Sequence, residues 1–166
     1  MQNIEIKARY EDIELGRELA LAIGAHYQGE LHQTDTYFHA RTGRLKLREI
    51  TGAQSHLISY SRPHQAGPKT SFYRIYPLED AGLMKQMLEE SLGIWRVVEK
   101  RRDLFLFDEI RIHLDRVQRL GNFLELEGVV SDPRRALEIR EKVNKLICHF
   151  QISTADLIAG SYSDLN

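Results

Sequence analysis

Apolar and polar residues alternate strictly along Asn3-Ile4-Glu5-Ile6-Lys7-Ala8-Arg9. Ile4, Ile6 and Ala8 fall on one side; Asn3, Glu5, Lys7 and Arg9 fall on the other. A period of two predicts a β-strand with one apolar and one polar face. Asp12 then suits the cap of a helix running to about Ile23, with Leu15, Leu19, Ala22 and Ile23 as its apolar stripe and Gly24 at its end. The stretch His32–Phe38 is dense in strand formers. After a turn at Thr42-Gly43, Arg44–Ile50 alternates again, with Leu45 and Leu47 opposite Lys46 and Arg48. Thr51-Gly52 turns the chain into a strand over about His56–Arg62. A loose loop, His64-Gln65-Ala66-Gly67-Pro68, leads to another strand from Lys69 to about Tyr76.

Leu83, Met84, Met87, Leu88 and Leu92 recur at helical spacing and predict a core-facing helix from about Glu79 to Leu92, ended by Gly93. Three strands follow, over about Ile94–Phe105, Glu109–Val117 and Asn122–Val130. Lys100 and Arg102 share a face in the first. Arg111, His113 and Asp115 share one in the second, against Ile110, Ile112 and Leu114. Phe123, Glu125 and Glu127 share one in the third, against Leu124 and Leu126. Ser131-Asp132-Pro133 starts a last helix to about Phe150. The tail Ser161-Tyr162-Ser163-Asp164-Leu165 is short and polar.

Strands joined by short turns with helices inserted singly make an antiparallel α+β protein. The helices need an apolar strand face to cover. The opposite face is too charged to be buried against anything dry. Both demands are met by a closed eight-stranded antiparallel β-barrel, a tunnel with a polar lumen and helices packed outside.

Length and composition support one domain over residues 1–166, with 42% hydrophobic and 28% charged residues, as in ordinary globular chains. The single cysteine, Cys148, excludes an internal disulfide and fits a reducing, cytoplasmic setting. Neither a signal-like core nor a membrane-spanning apolar run occurs, so no membrane partner is expected. A net charge of −1 advertises no nucleic acid, and aromatic residues are not interleaved with bases as RNA stacking would need. The expected partner is a small molecule; a homodimer is compatible with the chain.

That net charge is not spread evenly. The predicted polar faces gather Lys7, Arg9, Lys46, Arg48, Arg62, Arg74, Lys100, Arg102 and Arg111 against Glu5, Asp115, Glu125 and Glu127. In a concave site such an excess of bases is felt strongly and suits a compact polyanion, triphosphate above all. The clustered carboxylates suit Mg²⁺ or Mn²⁺. His113 shares the face, where a lone histidine reads as a hydrogen-bonded lining residue. The other histidines show no ligand spacing. Walker and G-x-G-x-x-G loops are absent, and no Ser/His/Asp order stands out.

The motifs carry a resemblance beyond these patterns. Asn3-Ile4-Glu5-Ile6-Lys7, Gln33-Thr34-Asp35-Thr36-Tyr37-Phe38, Gly43-Arg44-Leu45-Lys46-Leu47-Arg48-Glu49, Glu99-Lys100-Arg101-Arg102, Leu114-Asp115-Arg116-Val117, Gly121-Asn122-Phe123-Leu124-Glu125-Leu126-Glu127 and the tail together resemble the CYTH superfamily, the triphosphate tunnel metalloenzymes, in its class IV adenylate cyclase-like branch. The resemblance implies that Glu5, Glu125 and Glu127 hold the metal with Asp115 near it. It also implies that Lys7, Lys46, Arg48, Arg62, Arg74, Lys100 and Arg102 grip triphosphate. The charged face adds Arg9 to these binding residues, and the expected catalytic residues are Lys7, Arg48, Arg102 and Asp115. One position departs: the family's signature begins with glutamate where this chain has Asn3. The implied activity is a metal-dependent triphosphate hydrolase or, alternatively, an adenylate cyclase making cyclic AMP and pyrophosphate from ATP. A non-catalytic polyphosphate or nucleotide binder is the reading from a different class.

Overall fold

Alternation that buries one strand face and wets the other leaves a sheet with two unlike sides, and here the sheet closes on itself. The computed structural model describes residues 1–165; Asn166, the last residue of the expected domain, lies outside them. The strands are β1 (Gln2–Arg9), β2 (His26–Phe38), β3 (Arg44–Ile50), β4 (Ser55–Ser61), β5 (Lys69–Leu78), β6 (Ile94–Phe107), β7 (Ile110–Val117) and β8 (Gly121–Val130). They form a closed barrel in the order β1-β5-β4-β3-β2-β6-β7-β8. Every neighbouring pair is antiparallel, so closure leaves no free sheet edge.

Helices α1 (Ile13–Ala22), α2 (Ala81–Leu92) and α3 (Ala136–His149) lie outside. The outward residues Ile4, Ile6 and Ala8 of β1, Ile110, Ile112 and Leu114 of β7, and Leu124 and Leu126 of β8 form the main core. They pack with Ile13 and Ala20 of α1 and Ile139, Val143 and Leu146 of α3. Each such isoleucine, leucine or valine side chain, fully buried, contributes about 1.5–3 kcal/mol. Gly128 lets α3 come close, since a Cβ there would stand 2.4 Å from Ile139 Cγ2. No helix among the described residues is long and apolar enough to cross a membrane.

One expectation changes. Helix α2 has no buried residue. Met84 and Leu88 pack beside Phe38, Leu47 and Leu78, but Leu83 and Met87 are more than half exposed, because only one edge of its broad apolar stripe reaches the barrel. The tail, expected only to be short and polar, packs into the fold: Ser161, Tyr162 and Ser163 are buried. Tyr162 joins Tyr37, Val98, Val117 and Phe123 in a small cluster at one mouth of the barrel.

Candidate functional site

Residues directly opposite each other in an antiparallel ladder share a face, and the register brings the charged ones together. Glu5 stands opposite Glu127, and Lys7 opposite Glu125. Asp35 stands opposite Arg48. Arg102 stands opposite Asp115. Lys7, Lys46, Arg48, Arg62, Lys100, Arg102, Glu5, Glu125 and Glu127 all line one cavity of about 690 Å³ of open space, which tyrosines 37, 60, 73 and 162 also border.

The cations are already paired with carboxylates. Asp35, fully buried, accepts from Arg48 Nε at 2.6 Å and Nη2 at 2.7 Å, from Lys46 Nζ at 3.0 Å and from Lys100 Nζ at 2.9 Å. Arg102 forks onto Asp115 through two hydrogen bonds of 2.6 Å and donates to Glu125 at 2.7 Å. Lys7 pairs with Glu125 at 2.9 Å, and Arg62 with Glu5. Burial alone would raise the pKa of Asp35, but Arg48, Lys100 and Lys46 hold it well below the usual carboxylate range. Burial pushes Lys100 down to about 7, with Arg48 and Arg102 adding to the effect against the pull of Asp35. It pushes Lys46 down to about 8, with Arg48 adding to it.

The tail closes one mouth. Tyr162 donates its hydroxyl to Asp115 Oδ2 at 2.6 Å and stacks its ring 3.8 Å from Lys7 Nζ. Arg62 donates to the Gly160 carbonyl at 3.0 Å and to Ser161 Oγ at 2.8 Å. Lys69, fully buried, donates to the carbonyls of Gln65, Ile158 and Ala159, each at 3.1 Å. Arg44 meets Asp164 at 2.7 Å.

Not every expected residue reaches the cavity. Asp115 is fully buried behind Arg102 and holds that guanidinium in place rather than lining the space. Arg9 is exposed at the end of β1, its guanidinium 5.5 Å from the Phe123 ring and its Nη1 donating to the Leu120 carbonyl at 3.5 Å. Arg74 sits on the outer face of β5, because Ser71, Tyr73 and Ile75 are the residues of that strand that point inward. A one-residue error in parity exchanges the two faces. In return the structure adds Asp35, Lys69 and the tail. Asp35 carries a readable signal in hindsight, since it shares parity with Gln33 and Tyr37 on a strand that must line a charged lumen.

A divalent cation needs converging oxygen or nitrogen donors. A ring nitrogen of His113 and a carboxylate oxygen from each of Glu125 and Glu127 lie within 4.8 Å of one another. Glu5 is turned to Arg62 instead. Two of the three expected carboxylates therefore gather with an imidazole, a donor set that fits a divalent ion. His113 is not the satisfied lining residue expected: its Nδ1 is buried and has no aligned hydrogen bond, with Glu125 Oε2 at 3.5 Å. Burial, with Arg102 nearby, lowers its pKa.

The description CYTH domain matches residues 1–162. A protein of Methanocaldococcus jannaschii named as a putative adenylate cyclase is 27% identical over 175 residues, covering 99% of this chain and 98% of its own. A solved structure from Pyrococcus horikoshii superposes with a TM-score of 0.83 at 22% identity, covering 98% of each chain. A putative adenylyl cyclase from Hippeastrum, described as revealing a dominant triphosphatase activity, superposes with a TM-score of 0.59 at 17% identity, covering 96% of this chain and 91% of its own.

Proposed function

The chain belongs to the CYTH domain family, and from that premise we propose that it is a divalent-metal-dependent enzyme that binds a triphosphate in the tunnel and hydrolyses it. The observation that carries this reading is the convergence of Lys7, Lys46, Arg48, Arg62, Lys100 and Arg102 on one cavity. So dense a set of bases in a confined site matches a polyanion and little else. The triphosphate oxygens join Asp35 as partners of Lys46, Arg48 and Lys100, which share that carboxylate in the free protein.

Glu125 and Glu127 would hold Mg²⁺ or Mn²⁺, which supplies charge neutralisation on the phosphate oxygens. The chain's own residues do the rest. Arg48 and Arg102, each fixed through its Nε and Nη2 by a buried aspartate, present their remaining N–H donors to the charge that builds on the reacting phosphoryl group. Lys7 adds a point charge beside Glu125. Asp115 acts through Arg102, as a positioning residue.

Adenylate cyclase is the second reading, supported by the name of the Methanocaldococcus relative and by the tyrosines that border the cavity, which offer faces to a base. Both reactions use the same cradle and differ in the nucleophile: water for the hydrolase, the ribose 3′-hydroxyl for the cyclase. Purified protein incubated with ATP and Mg²⁺ or Mn²⁺ separates them. Phosphate release without cyclic AMP supports the hydrolase; cyclic AMP with pyrophosphate replaces it by the cyclase. Binding of ATP or tripolyphosphate with no turnover under either metal leaves a non-catalytic binder.

A further inference from the structure

His113 sits on the inward face of β7, directly opposite Glu125 on β8, while its neighbour on that face, Arg111, stands opposite Glu127. It is 4% exposed. Its Nδ1 is sealed from solvent without a hydrogen-bond partner. Glu125 Oε2, at 3.5 Å, is already taken by Arg102 at 2.7 Å. An unmade hydrogen bond at a buried polar atom is costly, so the fold leaves this nitrogen incomplete. Glu127 is similarly underused, its described ion pair being a contact of 3.7 Å to Arg111.

The three donor atoms of His113, Glu125 and Glu127 lie within 4.8 Å of one another. Three ligands spread evenly at about 2.2 Å around one ion stand roughly 3.8 Å apart. Side-chain adjustments of up to about an ångström therefore bring the whole set onto one ion. The alternative donors are weaker or lie outside this group: Asn3 offers a neutral amide, and Glu5 is turned to Arg62.

We propose that His113 is a nitrogen ligand of the tunnel's divalent cation, beside Glu125 and Glu127, and that it biases the site toward a first-row transition ion such as Mn²⁺ over Mg²⁺. The inference rests on the metal-dependent reading above and names the ion class it selects. Mg²⁺ keeps to oxygen donors in a near-ideal octahedron, whereas an imidazole favours transition ions. The ligand requires the tautomer that carries its hydrogen on Nε2, leaving the Nδ1 lone pair free.

The test titrates Mn²⁺ alone into the full chain, without triphosphate, and reads bound Mn²⁺ by pulsed electron paramagnetic resonance, with Mg²⁺ as competitor. The expected wild-type signal contains coupling from one directly bound imidazole ¹⁴N, and Mg²⁺ displaces Mn²⁺ poorly. In His113→Gln the nitrogen coupling vanishes and Mn²⁺ binds at least about tenfold more weakly. Selective ¹⁵N labelling of histidine alters the same coupling in the wild-type chain, so the reading does not depend on how the variant folds. Mn²⁺ bound by wild type with no nitrogen coupling overturns the role of His113 and leaves the metal-dependent function standing. No Mn²⁺ or Mg²⁺ binding, with or without tripolyphosphate, overturns both.

Discussion

Arg102 and Asp115 face each other across β6 and β7 and are joined by two parallel hydrogen bonds of 2.6 Å in a fully buried setting. The fork fixes the guanidinium plane, and Tyr162 completes the carboxylate from the tail at 2.6 Å. Arg102→Ala strands the buried Asp115 carboxylate and leaves Glu125 to Lys7, and should destabilise the fold by about 3–5 kcal/mol. Arg102→Ala/Asp115→Asn removes one stranded charge and should recover part of that loss. Chemical denaturation of the two variants checks this. Equal stability in both would show that the pair contributes little beyond packing.

Triphosphate binding should draw protons into the tunnel. In the free protein Lys100 is held down to about 7 and Lys46 to about 8, so at pH 8 both are partly neutral. An anion between them favours their charged forms and raises both values. Binding then takes up protons in the window above about pH 7, and affinity falls as pH rises from there toward 9. Calorimetry at pH 8 with a non-hydrolysable triphosphate, in two buffers of different ionisation enthalpy, reads the uptake directly. Buffer-independent heats at pH 8 would contradict it.

Asp35 balances Arg48, Lys46 and Lys100. Asp35→Asn leaves three confined cations with a neutral partner. The ligand-free variant should lose about 3–5 kcal/mol. Tripolyphosphate supplies the missing charge, so its stabilisation of the variant, read as a rise in Tm, should exceed its stabilisation of wild type. If the two rises are equal, Asp35 and the ligand do not share those cations.

Much of this was legible along the chain because β1, β3, β7 and β8 each set apolar against charged residues at a period of two. That contrast gave the inward face, and the unlike demands of the two faces gave the closed barrel. Where contrast fails, so does the reading. Around Arg74, β5 carries aromatic residues on both faces, with Phe72 and Tyr76 exposed outside and Tyr73 inside, so parity alone placed the arginine wrongly. The first half of β2 is interrupted by a register shift between Tyr27 and Gly29, where Gly29 adopts a φ of 114°, and this hid residues 26–31 from the strand pattern. The plug formed by the tail rests on partners such as Lys69 and Arg62, 89 to 99 residues away in sequence; no local pattern encodes contacts at that range. Helix α2 was read correctly as an element but too generously as core, since periodicity reports an apolar stripe and not what covers it.

Asn3 tests how far the chain's departure from the signature it resembles limits the proposed metal site. It is 4% exposed, lines the cavity two residues before Glu5, and accepts a hydrogen bond from Tyr73 at 3.2 Å. Asn3→Glu adds a buried carboxylate near Glu5 and close to the cross-strand Glu127. Without metal the like charges repel, and the variant should unfold at a lower temperature than wild type in chelator. With Mn²⁺ or Mg²⁺ the added oxygen ligand should give a larger rise in Tm than wild type shows, and Mg²⁺ should gain more than Mn²⁺, because a further hard oxygen suits it best. Triphosphate turnover should rise in parallel if the neutral amide is what limits charge neutralisation. A variant that is destabilised in chelator yet gains nothing from either ion would place Asn3 outside the reach of the metal, and the family's extra carboxylate would then have no counterpart role at this position.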